Sequence, residues 1–254
     1  MAMLWRAFMK RVGLVFLALY CQFAIFAVPA QASTAIDPVL EQQVLQILRE
    51  HPEVILESVQ TYQQERYEAQ QKAQQAILQG FVANPDRLIG HSPLKGDRKT
   101  GIVLAEFSDF QCPYCAQAQQ TLMAFMAQHA DEVAFVYKHF PLTSIHPEAM
   151  PAAKAAWAAG QQGQFWPYHD ALFAQQDQLG EAQYQQISQE LGLELAQFNR
   201  DRASEAATNA INQDLELAQQ LGLQGTPAFI LNGELLSGAV SQEELEAKLA
   251  QARG

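Results

Sequence analysis

The apolar positions change their spacing several times along this chain, and each change marks a different kind of element. Val12 to Val28 is a run of seventeen residues in which only Gln22 is strongly polar. Behind Asp37-Pro38, an N-cap residue with proline at the first helical position, Val39, Leu40, Val44, Leu45, Ile47 and Leu48 recur at helical spacing. His51-Pro52 ends that helix and opens another. No glycine or proline interrupts the Ala-, Gln- and Glu-rich stretch to Gln79, which predicts a helix of roughly seven turns or more. Within it Ile55, Val59, Tyr62, Arg66, Ala69, Ala73 and Ala76 alternate spacings of four and three, a coiled-coil seam weakened by Arg66 and by its alanines. Two readings fit: self-association through residues 36–79, with the number of copies unspecified, or one amphipathic helix folded back on the rest. Gly80 to Lys99, with Asn84-Pro85, Gly90, Ser92-Pro93 and Gly96-Asp97, reads as a boundary.

Downstream the pattern turns to α/β. Gly101 to Ser108 is apolar except for Glu106, the signature of a buried strand, and Ala116 to Gln128 continues as a helix. Ala228 to Leu231 reads as a strand opened by Gly225-Thr226-Pro227, and Asn232-Gly233 as a hairpin turn into Glu234-Leu235-Leu236. Between Leu142 and Gly222 lie four helix-compatible runs, Pro147 to Ala159, Trp166 to Gln175, Glu181 to Leu191 and Ala203 to Leu221. A parallel crossover needs far fewer residues, so this stretch reads as an added helical domain.

Composition narrows the class. Apolar residues make up 49% and charged residues 17% of 254, a globular balance. The first 32 residues hold Arg6, Lys10 and Arg11, the apolar run and Ala30-Gln31-Ala32, the three parts of a secretory signal peptide cleaved after Ala32. The competing reading is a retained membrane anchor, since seventeen apolar residues approach a spanning length. Without that segment, 13 basic residues stand against 27 acidic ones. A chain that acidic, with no cluster of Lys or Arg, is a poor partner for nucleic acid or anionic lipid. Of three cysteines Cys21 leaves with the signal, so two remain in an oxidising compartment.

Those two are Cys112-Pro113-Tyr114-Cys115 at a strand-to-helix junction. There the unpaired N–H groups and dipole of the helix favour an anion, which makes the first cysteine a thiolate, a nucleophile and a good leaving group. The second, one turn on, closes a small disulfide ring, and Pro113 stiffens the first turn without losing a needed hydrogen bond. CxxC is also half of a zinc site, but no second CxxC and no HxxxH pair accompanies it. A purely structural disulfide across so short a loop restrains little chain entropy. The reading is therefore a redox pair, with neither metal nor separate cofactor. Glu106 precedes Cys112 by six residues. Buried, its pKa rises and it exchanges a proton with Cys115; on a strongly twisted strand it reaches solvent instead. Pro227 at a turn suits a cis bond, although trans is the default for any X-Pro pair. Trp157 and Trp166 read as core, and His139 and His146 as loop residues without a catalytic role.

The order strand, CxxC, helix, strand, helical stretch, Thr-Pro-strand, hairpin and final helix resembles the thioredoxin fold. Phe107 to Cys115, His139-Phe140-Pro141-Leu142, His146-Pro147, Gly163-Gln164-Phe165-Trp166, His169-Asp170-Ala171-Leu172-Phe173 and Gly225-Thr226-Pro227 resemble the DsbA-type exported thiol–disulfide oxidoreductases. The resemblance covers roughly Gly101 to Gly254. It implies a cis Pro227 beside the cysteines, Glu106 in the place of a buried acid, and a helical domain inserted before the last strands. The organisation expected is a signal peptide over 1–32, a helical stalk and linker over 33–95, and a thioredoxin domain over 96–254 with the insertion at about 143–222. Pro113-Tyr114 between the cysteines departs from the Pro-His of the strongly oxidising relative, and with Thr226 is similar to exported isomerase and reductase branches. The stalk resembles the oligomerising segment of ScsC-like members. The activity implied is disulfide formation in exported proteins, with isomerisation or reduction as the alternative direction and a holdase chaperone as a reading of another class. The partners implied are exported cysteine-containing proteins and a membrane redox protein.

Overall fold

A computed structural model of the protein describes residues 37–253. The signal-peptide reading and Cys21 lie outside these residues. The chain forms two compact units that divide within one helix, the first ending at Gln63 and the second starting at Gln64.

The first unit holds α1 (Pro38–Glu50) and the opening turns of α2 (Pro52–Ala83). The Asp37 carboxylate accepts from the Val39 N–H at 2.9 Å, and Pro38 follows in the first turn, where its missing N–H costs nothing. His51 closes α1 by donating its N–H to the Ile47 carbonyl. No residue of α1 is buried: Val39, Leu40, Val44, Leu45 and Ile47 are exposed, as are Val54, Ile55, Leu56, Val59 and Tyr62 of α2. Within this unit Leu48, Val54, Ile55, Ser58, Val59 and Tyr62 line an apolar hollow of about 330 Å³. Among the described residues no helix is long and apolar enough to cross a membrane.

The second unit begins earlier than the Gly- and Pro-rich boundary suggests. α2 runs through Gly80 to Ala83, and α3 (Asp86–Ile89) follows at once. Phe81, Leu88 and Ile89 are buried, and β1 (Leu94–Lys95) pairs antiparallel with β3 (Val133–His139). The stretch 80–95, expected as stalk and linker, thus lies in the second unit. Three large apolar side chains there gain more from burial than the turn residues around them signal.

Five strands form one sheet in the order β1-β3-β2-β4-β5, with β2 at Ile102–Ser108, β4 at Ala228–Leu231 and β5 at Glu234–Ser237. β2 and β3 are parallel and joined across α4 (Pro113–His129); β4 is antiparallel to β2. The long link from β3 to β4 is therefore not a parallel crossover. It carries α5 (Ala149–Gly160), α6 (Phe165–Ala174), α7 (Glu181–Glu190), α8 (Leu195–Arg202) and α9 (Glu205–Gln220), and a final helix, α10 (Gln242–Arg253), follows β5. α8 has no counterpart in the sequence reading. Its N-cap is Glu194, which accepts from the Ala196 and Gln197 N–H groups, whereas helix starts are read from shorter capping side chains. At the β4–β5 turn Asn232 and Gly233 both have positive φ, the type I′ geometry of a two-residue hairpin. A Cβ on Gly233 would also meet Val82, and the Leu78 carbonyl at 3.1 Å, so α2 packs where only glycine fits.

Register decides which side chains share a face. Glu106 lies opposite Tyr137 and Ser108 opposite His139, and the two-residue period puts all four on one face of the sheet. Phe110, Cys115, Tyr137 and residues of α5 to α7 form one core cluster above that face; Leu122, Phe125, Phe135, Phe229 and Leu245 form another. Ala105, Phe107, Val136 and Ile230 face the other way, onto Phe81, α3 and Ala218 of α9. There the buried Lys138 ammonium donates to Asp214 at 3.1 Å and Ser92 at 2.7 Å, while the His139 N–H donates to Asp214 at 3.0 Å. A buried charge pair completed by hydrogen bonds fixes α9 against the sheet.

Candidate active site

Cys112 is the N-cap of α4, with Pro113 in the first helical turn. Both cysteines are free thiols. Cys112 is 4% exposed and Cys115 fully buried, while Tyr114 between them is 62% exposed. The Thr226–Pro227 peptide bond is cis, as the resemblance implies, and Cys112 Sγ lies 3.5 Å from the Thr226 carbonyl oxygen. The loop before β4 is thereby brought to the helix end from more than a hundred residues away. Beside it Leu223, Pro227, Ala228 and Leu235 line a groove of about 330 Å³.

The two thiols are driven apart in acidity. A hydrogen bond from the Cys115 thiol lowers the pKa of Cys112; burial opposes it, and Thr226 with the backbone N–H groups of Cys115 and Tyr114 adds to the lowering. Cys115 goes the other way. Burial, the proton it shares with Cys112 and the charge of Glu106 push its thiol up. The arrangement holds an anionic sulfur at the helix end and a protonated one a turn behind it.

Glu106 does not reach solvent: it is 0% exposed in the middle of the sheet. Burial is the main force raising its carboxyl to about 8, with the neighbouring Ser108 opposing and Cys112 adding. Neither carboxyl oxygen has a hydrogen-bond partner among the described residues. Of the two readings of this residue, the structure places it in the interior beside the cysteines.

Three contributors to the site had no role assigned from sequence, although Asp109 and His146 lie within the motifs that carry the resemblance. The Asp109 carboxylate accepts from the N–H of Gln111 at 2.8 Å, the N–H of Leu142 at 2.9 Å and His146 Nδ1 at 2.7 Å, clamping the loop that enters the redox turn. His146, read as a bland loop residue, is part of that clamp. Gln176, in a short 3-10 turn of the inserted helices, donates to the Phe110 carbonyl at 2.8 Å and the Cys112 carbonyl at 2.9 Å. It ties the helices between β3 and β4 to the backbone of Cys112. A lone glutamine in a Gln-rich chain gives no pattern by which to find it. Trp166 packs against both core clusters on this side of the sheet, and Trp157 against the first, in keeping with their core reading.

The family described as Thioredoxin matches residues 89–251. A thioredoxin-like oxidoreductase from Silicibacter pomeroyi is 32% identical, covers 67% of this chain and 98% of its own, and superposes with a TM-score of 0.60. A linker-deletion mutant of Proteus mirabilis ScsC shares the fold at 22% identity and a TM-score of 0.63 over 87% of this chain and 99% of that one. The thiol–disulfide exchange protein α-DsbA2 of Wolbachia pipientis shares it at 19% and 0.62, over 70% and 97%. Among curated relatives, a protein named Na(+)/H(+) antiporter NhaA 3 of Salinispora tropica is 35% identical over 71% of this chain, yet the chain spans only 27% of that protein's length. With a matched domain, a five-stranded sheet and a cysteine pair at the N-terminus of α4, the chain belongs to the thioredoxin family.

Proposed function

We propose that the protein is an exported thiol–disulfide oxidoreductase that forms disulfides in secreted proteins, residues 1–32 being the signal that is removed after Ala32. The observation that carries this reading is the placement of the pair. Cys112 sits at the N-terminus of α4 with its sulfur 3.5 Å from the Thr226 carbonyl, and Cys115 is fully buried a turn behind it, which sets their acidities in opposite directions. A substrate thiolate attacks Cys112 Sγ of the Cys112–Cys115 disulfide. The S–S bond breaks toward Cys115, which leaves and takes a proton from Glu106. A second substrate thiolate attacks the mixed disulfide and releases Cys112 as a thiolate, so two electrons enter the enzyme and one disulfide forms in the substrate. A membrane redox protein then restores the enzyme disulfide. Pro113 holds the helix turn, and Thr226 and cis Pro227 face the sulfur beside the groove where an extended substrate chain lies. Tyr114 offers the exposed contact. No separate cofactor enters this scheme.

Stabilising the thiolate favours the reduced enzyme and makes its disulfide more oxidising. Equilibration with glutathione buffers, read by alkylation and mass, is expected to give a potential above about −220 mV; a value below that argues against a dedicated oxidase.

The exposed apolar face of the first unit favours a second reading. Soluble chains rarely leave that many contiguous apolar side chains in water, so residues 36–79 join copies of the chain, the architecture suited to an isomerase or reductase. In that direction reduced Cys112 attacks a wrong substrate disulfide and Cys115 resolves the complex. Light scattering should show an oligomer for the unaltered chain and a monomer for the combined Val44→Gln, Ile55→Gln, Val59→Gln and Tyr62→Gln variant. A monomer in both would end the assembly reading.

A further inference from the structure

Glu106 must exchange its proton with water each time Cys115 changes protonation state, yet it is fully buried. The way out is written in the polar atoms around it that protein structure does not use. Both Glu106 oxygens, Ser108 Oγ, Tyr137 Oη and His169 Nε2 are buried without a hydrogen-bond partner among the described residues. Native interiors seldom leave so many polar atoms unmatched in one place, and when they do, water or chemistry accounts for them. Tyr137 is the register partner of Glu106, and its ring meets that of His169 edge-on with centroids 4.9 Å apart. His169 is itself wholly buried on α6, and its other nitrogen, Nδ1, lies 2.8 Å from Asp170, whose side chain is 45% exposed.

We propose that Tyr137 and His169, linked by ordered water where atoms do not touch, form a proton path between Glu106 and solvent that ends at Asp170. This rests on the reading of Glu106 as the proton partner of Cys115 and extends it. When Cys115 attacks the mixed disulfide, its S–H proton goes to the Glu106 carboxylate, and the new Cys112–Cys115 bond forms as the bond to substrate sulfur breaks. Glu106 then gives the proton to Tyr137 Oη as the Tyr137 hydroxyl proton passes to His169 Nε2. His169 releases its Nδ1 proton to Asp170 and water. The oxidase direction runs the same steps in reverse.

The surroundings keep each station in the form it needs. Glu106 faces Ser108 on its own strand, Cys112 and Cys115 on α4, and Tyr137 on β3. Burial, then Glu106 and Cys115, push Tyr137 far up, so it remains a neutral hydroxyl. Burial pushes His169 down, Asp170 opposes and Lys95 on β1 adds, which keeps the imidazole neutral and able to accept at one nitrogen while donating at the other. Gln119 of α4 also donates to Asp170, at 3.2 Å, and holds the exit. His139 is the rival route, its ring 5.2 Å from that of Tyr137. Its two nitrogens are unpartnered too among the described residues, and it lines a hollow of about 270 Å³. Its ring, however, holds no carboxylate as His169 holds Asp170: Asp214 is taken by Lys138, Ser92 and the His139 N–H. His139→Gln should therefore leave resolution of the mixed disulfide unchanged, and slowed resolution there would overturn the His169 route.

Tyr137→Phe removes one buried hydroxyl that pairs with no protein atom among the described residues and keeps the ring packing, so the variant should remain folded with a thermal midpoint near that of the parent. In single-turnover reaction of the reduced protein with glutathione disulfide between pH 6 and 9, Tyr137→Phe and Asp170→Asn should each slow resolution of the Cys112 mixed disulfide on the order of tenfold, with formation of that mixed disulfide unchanged. The solvent deuterium effect on resolution should grow, and added imidazole should restore part of the rate. Wild-type resolution in Tyr137→Phe, alongside slowed resolution in Glu106→Gln, would overturn the path and leave the Glu106 role standing. Unslowed resolution in Glu106→Gln would remove both.

Discussion

Replacing Cys112 by serine is expected to take disulfide exchange to the uncatalysed background, a loss of about 10³-fold or more. The helix end that favours a thiolate cannot ionise a serine hydroxyl, whose intrinsic pKa lies far above that of a thiol. Cys115 cannot substitute, being fully buried and with its thiol pushed up. The measurement is the rate at which a two-cysteine peptide is oxidised in a glutathione buffer. Cys115→Ser separates the roles: its Cys112 thiolate should still attack glutathione disulfide, releasing one glutathione thiolate. With no second thiol to displace the other, the mixed disulfide should accumulate and be visible by mass. The holdase reading predicts the opposite, since the cysteines would then be incidental. Full in-cell function in the Cys112→Ser protein would sink the catalytic reading.

Glu106→Gln should stabilise the fold by about 3 kcal/mol at pH 7 while slowing the Cys115 step. The folded protein holds a proton on Glu106 up to about pH 8, whereas the unfolded chain releases it near 4.5. Proton binding by the folded form favours folding, so this contribution is fully present below pH 4.5 and is lost as pH rises through 8. The unaltered protein thus loses stability across that window and the glutamine variant does not. Their difference should be near zero at pH 4 and grow steadily toward pH 8. The lowered pKa of Cys112 in the reduced protein acts in the other sense, and because its charge adds to the rise of Glu106 it contributes to the difference. Urea titrations at pH 4, 6 and 8 on the two reduced proteins check it; a difference independent of pH would mean that Glu106 ionises normally. A buried acid that costs stability and speeds a chemical step is the familiar conflict between folding and function.

Much of this was legible from local pattern. Asp37-Pro38 and His51-Pro52 punctuate the helices, β2 and β4 follow their apolar runs, and Asn232-Gly233 turns the hairpin, because capping, alternation and positive φ are decided by a few neighbouring residues. The CxxC turn was legible for the same reason: the helix end that activates Cys112 is made by the residues that follow it. The start of the second unit was not, since turn-rich composition hid the burial of Phe81, Leu88 and Ile89. α8 was missed behind its unusual Glu194 cap.

By itself the sequence determined a thioredoxin-type order of elements, an acidic chain, and a CxxC pair at the start of a helix. The tertiary structure alone decided that Glu106 is buried, that Tyr137 lies opposite it, that the Thr226 carbonyl sits at the Cys112 sulfur, and that Gln176 reaches back to the CxxC turn. Those facts depend on strand register and on elements far apart in the chain. A pKa set by loss of water belongs to the packed interior, which no local stretch of residues contains.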